Sequence, residues 1–107
     1  MHVVIRQYQL EPDAIEAITP QIRENVTHHY SKILPGFIEY CVIDAGHGHL
    51  IALSIFEDKA VAEASTYVAA GYIRDHLSTF VRTSPQVSEG EVIVRVTGHG
   101  GQGSGSP

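Results

Sequence analysis

The sequence predicts an α+β fold in which four strands form one antiparallel sheet and two helices cover a single face of it. Segments that favour strands and helices follow one another in the order β-α-β-β-α-β, the split βαβ arrangement. The chain has 107 residues, which suits one compact domain and leaves no room for two. Hydrophobic residues make up 43% and charged residues 18%, so there is enough apolar mass for a core.

The first third of the chain predicts a strand followed by a helix. His2–Gln9 is rich in β-branched residues and predicts the first strand. Apolar residues then recur at steps of three and four, which predicts one helical face: Ile15, Ile18, Ile22, Val26, Tyr30 and Ile33. Thr19 before Pro20 is typical of an N-cap, so we expect the helix to span residues 20–34 after a short leading turn. Pro35 and Gly36 then end it.

A predicted hairpin and a second helix follow. Residues 37–45 and 49–56 form two β-rich segments, joined through Gly46, His47 and Gly48. Asp58 supplies an N-cap for a helix over residues 59–82, because Thr83, Ser84 and Pro85 break the pattern there.

The end of the chain changes in composition. Residues 91–97 alternate and are β-branched, so they predict the last strand. Residues 98–107 read GHGGQGSGSP and predict a flexible glycine-rich tail. The predicted organisation is therefore one domain over residues 1–97 and a tail over 98–107.

Charge and cysteine content exclude several classes of protein. Seven Lys and Arg stand against twelve Asp and Glu, a formal charge of -5. Nucleic acid or an anionic membrane as main partner needs a concentrated basic face, so neither is expected. No apolar run reaches the roughly 20 residues of a membrane helix, and the N-terminus lacks a secretory signal pattern. The single cysteine, Cys41, forms no intramolecular disulfide and is expected to be a small core residue. We expect a cytoplasmic protein.

Both faces of the predicted sheet are apolar. A sheet with helices on one side should alternate apolar and polar residues, yet residues 3–5, 50–53 and 92–94 are consecutive apolar runs. An exposed face of that size exceeds what monomers usually show. The sequence therefore predicts a homodimer packed sheet to sheet, and a monomer with one adhesive face is the alternative.

Three segments carry a family resemblance: LPGF at residues 34–37, SIFED at 54–58 and GYIRDHL at 71–77, the last ending an alanine-rich helix. With the element order, they resemble the antibiotic biosynthesis monooxygenase-like domains of the dimeric α/β-barrel superfamily. The resemblance covers residues 2–97. It implies a ferredoxin-like homodimer with a cavity between sheet and helices in each protomer.

The resemblance also implies a function. Members include oxidoreductases that act on small aromatic or polyketide-like molecules without a cofactor, and such a monooxygenase is the expected activity. Heme-degrading members rely on an asparagine in the first strand, a tryptophan and a histidine in the second helix. This chain has no tryptophan, its only asparagine is Asn25, and only His76 has a counterpart by region. The alternative is a non-catalytic dimer that binds a small ligand, or heme through His76.

The end of the second predicted helix holds the candidate catalytic residues. Tyr72 and His76 are four residues apart and share a helical face, with Tyr67 a turn earlier. His76 is the candidate acid or base for a phenolic substrate, since an imidazole titrates near neutrality. Tyr72 and Tyr67 would orient the substrate. The alternative is a histidine that interacts only with the carboxyl end of the helix.

Two arginines in predicted strands are candidate substrate-binding residues. Arg6 and Arg95 would anchor a carboxylate or an oxyanion if buried. Alternatively, each pairs with a carboxylate across strands, Glu39 or Glu91, which is worth little at a surface.

The sequence gives little support for a metal site or for a nucleotide-binding site. His47 and His49 flank Gly48, but two histidines without further ligands do not make a metal site, so none is predicted. No P-loop, G-x-G-x-x-G, H-E-x-x-H or G-x-S-x-G motif occurs.

Overall fold

The computed structural model describes residues 1–81 and 83–98, apart from the side chains of His29 and Ser31. The predicted order is confirmed. The elements are β1 (His2–Gln9), α1 (Ala14–Asn25), a first π-helical turn (Val26–Tyr30), α2 (Ser31–Ile33), β2 (Phe37–Asp44), β3 (His49–Phe56), α3 (Lys59–Tyr72), a second π-helical turn (Ile73–Leu77) and β4 (Gln86–Glu91). The predicted tail, apart from Gly98, lies outside the described residues.

All strand pairs are antiparallel, and the order in the sheet is β2-β3-β1-β4. The helices lie on one face, where the even-numbered residues of β1 and β3 are buried. This is the ferredoxin-like arrangement that the sequence predicts.

The predicted start of the first helix is wrong. The helix α1 begins at Ala14 and runs through Pro20. Thr19 does not cap a helix there, because its Oγ1 donates to the carbonyl oxygen of Ile15 at 2.6 Å. Ile15 and Ile18 are buried against the sheet, and this packing holds the first turns in place although proline lacks the N–H that a helix interior uses.

The hairpin and the start of α3 agree with the sequence. Gly46 and Gly48 adopt positive φ angles of 91° and 80° in the tight connection, and Ala45 donates its N–H to the carbonyl oxygen of His49 at 2.9 Å. Asp58 caps α3, because its Oδ1 accepts the N–H of Val61 at 3.0 Å. The helix ends earlier than predicted, at Tyr72, and continues only as the second π-helical turn.

The last strand is displaced from its predicted position. β4 spans Gln86–Glu91 and pairs with β1 up to His2, so the prediction of a strand over residues 91–97 is wrong. The N–H of Val92 bonds to the carbonyl oxygen of Met1 at 2.9 Å. The pairing with β1 ends at that bond, and residues 93–97 run on outside the sheet.

The sheet face opposite the helices carries a continuous apolar surface, which we call the uncovered face. Paired strand positions place these apolar side chains on it: Val3, Ile5, Cys41, Ile43, Ile51, Leu53 and Ile55. Cys41 is exposed there, so the expectation that it packs in the core is wrong. No helix in the described part of the chain is long and apolar enough to cross a membrane.

Candidate functional site

A cavity of about 50 Å³ lies between the helices and the covered face of the sheet. Its wall is mostly apolar, with polar groups from five elements: Tyr8, Asn25, Tyr30, Tyr40 and Tyr72. These residues come from β1, the end of α1, the first π-helical turn, β2 and α3 respectively. We call this space the phenol cavity, because four of the five tyrosines of the chain converge on it.

Both long helices become π-helical where they border the phenol cavity. Val26 and Tyr30 of the first π-helical turn line it, and Ile73 and Leu77 of the second line it from the opposite helix. Single π-helical turns are rare and are frequent at functional sites, because the wider turn shifts side chains out of the regular helical spacing.

The phenol groups stay neutral over a wide pH range. Burial raises the pKa of Tyr8 from its usual 10.0 to about 12. Burial also raises the pKa of Tyr30, and that of Tyr40, where the neighbouring phenols of Tyr30 and Tyr8 add to the effect. The rings of Tyr30 and Tyr40 meet edge to face at 5.6 Å. All three tyrosines line the cavity, so their hydroxyls can donate to a ligand that enters it.

Tyr72 closes one side of the cavity. Its hydroxyl donates to the carbonyl oxygen of Gln21 at 3.1 Å, which joins α3 to α1. On the solvent side the ring of His76 packs against Tyr72, with ring centres 4.9 Å apart. We call the Tyr72–Gln21 contact the mouth of the cavity.

The structure separates the residues that the sequence grouped as one site. Tyr72 lines the cavity, whereas His76 is exposed and is not part of the wall. Tyr67 is 81% exposed on the outer side of α3. Tyr72 and His76 do share a helical face, since their rings are in contact, but His76 lies on the solvent side of Tyr72 and not on the cavity side.

Of the two candidate arginines, only Arg6 is buried. Arg95 is exposed, and its Nη2 lies 3.7 Å from Oε1 of Glu39. Arg6 is 3% exposed and donates from Nη2 to Ser65 Oγ at 3.0 Å and to Thr66 Oγ1 at 3.2 Å. Its positive charge partly offsets the rise that burial causes in the pKa values of Tyr8, Tyr30 and Tyr40. The field of Arg6 therefore reaches the phenol cavity.

The histidines of the hairpin do not gather metal ligands. His49 Nε2 lies 3.0 Å from Gln7 Oε1, and His47 occupies a positive-φ position of the turn, at 56°. Among residues 1–81 and 83–98 no group of three His, Cys, Asp or Glu side chains is placed to hold a metal ion.

Sequence reasoning missed most of the cavity wall. Tyr8 shares the covered face of β1 with Arg6 by simple alternation, so this pair was within reach of the sequence. Tyr30 belongs to the apolar repeat of the first helix, which predicts core packing alone. Asn25 and Tyr40 carried no signal, because they reach the cavity through the π-helical turn and through the irregular pairing of β2 at Phe37/Glu39.

Comparison with known proteins finds the same fold in solved structures. An antibiotic biosynthesis monooxygenase superposes with a TM-score of 0.67 at 21% identity, over 88% of this chain and 100% of the other. A monooxygenase from Streptomyces coelicolor, ActVA-Orf6 in complex with nanaomycin D, gives a TM-score of 0.69 at 11% identity over 92% of each chain.

A third similar structure holds a porphyrin. A single-residue mutant of MhuD, with two manganese protoporphyrin IX bound per active site, gives a TM-score of 0.69 at 19% identity, over 92% of this chain and 100% of the other. No protein-family model and no curated protein matches the chain. The chain therefore has the antibiotic biosynthesis monooxygenase-like, ferredoxin-like fold that its sequence resembles.

Proposed function

We propose that the protein is a homodimeric oxygenase that acts without a cofactor on a small aromatic or polyketide-like molecule bound in the phenol cavity. The observation that carries the proposal is the convergence of four phenols and Asn25 on one mostly apolar cavity. An apolar wall with a few convergent polar groups is the usual form of a small-molecule site. The nanaomycin D held by a similar monooxygenase structure is a polycyclic ligand of that class.

Substrate entry requires the mouth to open. At about 10–15 Å³ for each water-sized sphere, the cavity of about 50 Å³ holds about three to five water molecules and no aromatic ring. The hydrogen bond from Tyr72 to Gln21 is a single exposed link between the two helices. Breaking it and separating the π-helical turns enlarges the same space towards the size of a ring system.

The proposed reaction balances with O₂ as the co-substrate and needs no added reductant. For 1-naphthol, one oxygen atom of O₂ enters the ring to give 1,4-naphthoquinone, the other leaves as water, and the substrate supplies all electrons. The substrate must lose its phenolic proton, which places negative charge on its oxygen. Neutral hydroxyl donors that are already in position stabilise such charge, and burial keeps Tyr8, Tyr30 and Tyr40 in that protonated form.

Within this proposal His76 takes up the substrate proton at the mouth. Its ring contacts Tyr72 from the solvent side, so it reaches a ligand only when Tyr72 moves away from Gln21. The imidazole is exposed, so it is in position to pass the proton on to water. Tyr72 is the group that orients the entering ring.

None of the described residues that line the phenol cavity is a histidine, so its wall offers a heme iron no imidazole. We therefore derive no step through heme, although the similar MhuD structure holds manganese protoporphyrin.

The uncovered face supports the homodimer. Its apolar side chains are continuous across three strands, and the residues after β4 add Ile93, Val94 and Val96 at 90%, 75% and 86% exposure. The contact of Arg95 with Glu39 brings this segment to β2, the edge strand opposite β4. A second copy packed on this face removes the apolar surface from water, which is favourable at about 25 cal/mol per Å².

Turnover of 1-naphthol under air tests the activity. We expect the full chain to form 1,4-naphthoquinone faster than buffer does, and Tyr40→Phe to lower the rate by about tenfold because one hydroxyl donor is lost. Tyr67→Phe is the matched control, since that phenol lies outside the cavity, and should not change the rate. Quinone formation at the buffer rate overturns the oxygenase, and equal rates for wild type and Tyr40→Phe overturn the cavity as its site.

A further inference from the structure

A groove on the outer side of Tyr8 holds a buried arginine without an acidic partner. The groove has a volume of about 440 Å³ and lies between the outer side of α3 and residues 83–87. Arg6 and Tyr8 of β1 contribute to its wall, with Thr66 and Ala70 of α3 on one side and Val87 of β4 on the other. It shares Tyr8 with the phenol cavity but not the other phenols. We call it the arginine groove.

The charge of Arg6 is not neutralised within the described part of the chain. Its contacts there are the hydroxyl oxygens of Ser65 and Thr66. Ser65 already donates its own proton to the carbonyl oxygen of Ala62 at 2.6 Å, so it serves Arg6 as an acceptor. A guanidinium has five N–H donors in a planar fork, and both of these bonds come from Nη2. The groups at Nε and Nη1 have no protein acceptor among the described residues.

A buried cation without a counter-ion is unfavourable. Removing a charge from water costs several kcal/mol unless a partner compensates for it. The wall of the arginine groove contains two arginines, Arg6 and Arg74, and no Asp or Glu among the described residues. Arg74 is exposed and its Nε lies 3.1 Å from Oδ1 of Asp75, so the charge without an acidic partner is that of Arg6. The groove is therefore a locally positive site in an acidic protein.

The other residues of the groove wall indicate what kind of molecule would carry the anionic group. Alanine, valine, isoleucine and proline side chains line both sides, and the hydroxyls are those of Thr66, Ser78, Thr83 and Ser84. An inorganic anion would leave the apolar walls facing water. A carboxylate on a flat apolar body satisfies both the guanidinium and the walls, because two oxygens match the fork of an arginine.

We propose that the arginine groove is a second ligand site, which binds a small organic carboxylate with its carboxyl group on Arg6 and its apolar body between α3 and residues 83–87. The site adjoins the phenol cavity, since Tyr8, Ala69, Ile73 and Val81 belong to both walls, but it does not depend on turnover. A ligand there would also reduce the field of Arg6 at Tyr8, and so connect occupancy of the groove to the phenols.

Binding of 2-naphthoate and of its neutral amide, 2-naphthamide, to the full chain tests this. The two probes share the ring and differ in charge. Calorimetric titration should give 2-naphthoate a Kd at least about tenfold lower than 2-naphthamide, because a charge-assisted pair replaces a neutral one. Amide shifts in a ¹H–¹⁵N spectrum should appear at Thr66, Ala70 and Val87.

Two variants and one control decide the outcome. Arg6→Gln should abolish the preference for the carboxylate, and Arg95→Gln, an exposed arginine outside the groove, should retain it. Ala70→Phe fills the groove from an exposed helix position and leaves Arg6 intact, so it should block 2-naphthoate even if Arg6→Gln fails to fold. Equal affinity for the two probes, or 2-naphthoate binding that survives Ala70→Phe, overturns the site. Turnover of 1-naphthol by Ala70→Phe should persist, which separates this test from that of the oxygenase.

Discussion

The two faces of the sheet are both largely apolar, but the buried polar side chains of the described strands, Arg6 among them, lie on the covered face. On the covered face, Arg6 and Tyr8 alternate with apolar residues along β1, and helices close over them. On the uncovered face the neighbouring positions are Val3 and Ile5, and no element of the described chain covers them. The proposed function divides the roles accordingly, with a small molecule bound on the covered side and a second copy on the uncovered face.

The largest effect is expected from a charge placed on the uncovered face. Leu53 lies in the middle of it, directly opposite Ile5 and Cys41 on the neighbouring strands. Leu53→Lys should weaken self-association by about a hundredfold or more, because a buried, unpaired ammonium is costly. Sedimentation equilibrium measures this. Ala64→Lys, on the exposed side of α3, is the control and should remain dimeric. A wild type that stays monomeric at micromolar concentration contradicts the assigned role of this face.

Alkaline pH should destabilise the covered face. The folded pKa of Tyr8 is raised from 10.0 to about 12, so the associated stability is complete below pH 10 and is lost as the pH rises from about 10 to about 12. The loss from Tyr8 alone is about 2–3 kcal/mol. Urea unfolding at pH 8 and at pH 11 should show about half of this loss, about 1.4 kcal/mol, because pH 11 lies midway between the two pKa values. In Tyr8→Phe the pH dependence should be smaller, and an unchanged dependence contradicts the burial of this phenol as its cause.

Filling the phenol cavity should weaken ligand binding while leaving the stability of the fold nearly unchanged. Ala52 lies on the floor of the cavity, and Ala52→Val adds two methyl groups there. Affinity for 1-naphthol should fall by about tenfold, while the free energy of unfolding changes by about 1 kcal/mol or less. Fluorescence titration and urea unfolding measure the two quantities. Ala64→Val is the control. Unchanged affinity in Ala52→Val would place the ligand elsewhere.

Removing the hydroxyl at the mouth should have a small effect on stability. Tyr72→Phe loses the hydrogen bond to Gln21, which is worth about 0.5–1.5 kcal/mol. If the mouth limits entry, the variant should bind 1-naphthol faster than wild type in stopped-flow fluorescence. A slower association rate would mean that the hydroxyl assists entry rather than closing the cavity.

Local pattern predicted the strands β1 and β3, the hairpin and the Asp58 cap, because alternation and capping depend on near neighbours in sequence. The position of β4 depended instead on its register against β1, which only the folded sheet defines. The start of α1 was predicted wrongly because burial of Ile15 and Ile18 outweighs the one hydrogen bond that Pro20 cannot make.

The candidate site was only partly predictable. Arg6 and Tyr72 were identified, but His76 and Tyr67 are exposed and lie outside the cavity wall. Tyr30, Tyr40 and Asn25 meet only in the folded chain. No rule of spacing joins residues from a helix end, a π-helical turn and an edge strand.

A crystal structure of the protein with 1-naphthol tests the division of roles most directly. We expect the naphthol ring between the covered face and the helices, with its oxygen within hydrogen-bond distance of Tyr8, Tyr30 or Tyr40 and with Tyr72 moved away from Gln21. We also expect a second copy packed on the uncovered face. A naphthol ring bound on the uncovered face, with the phenol cavity still closed, would contradict the assignment of ligand binding to the covered side.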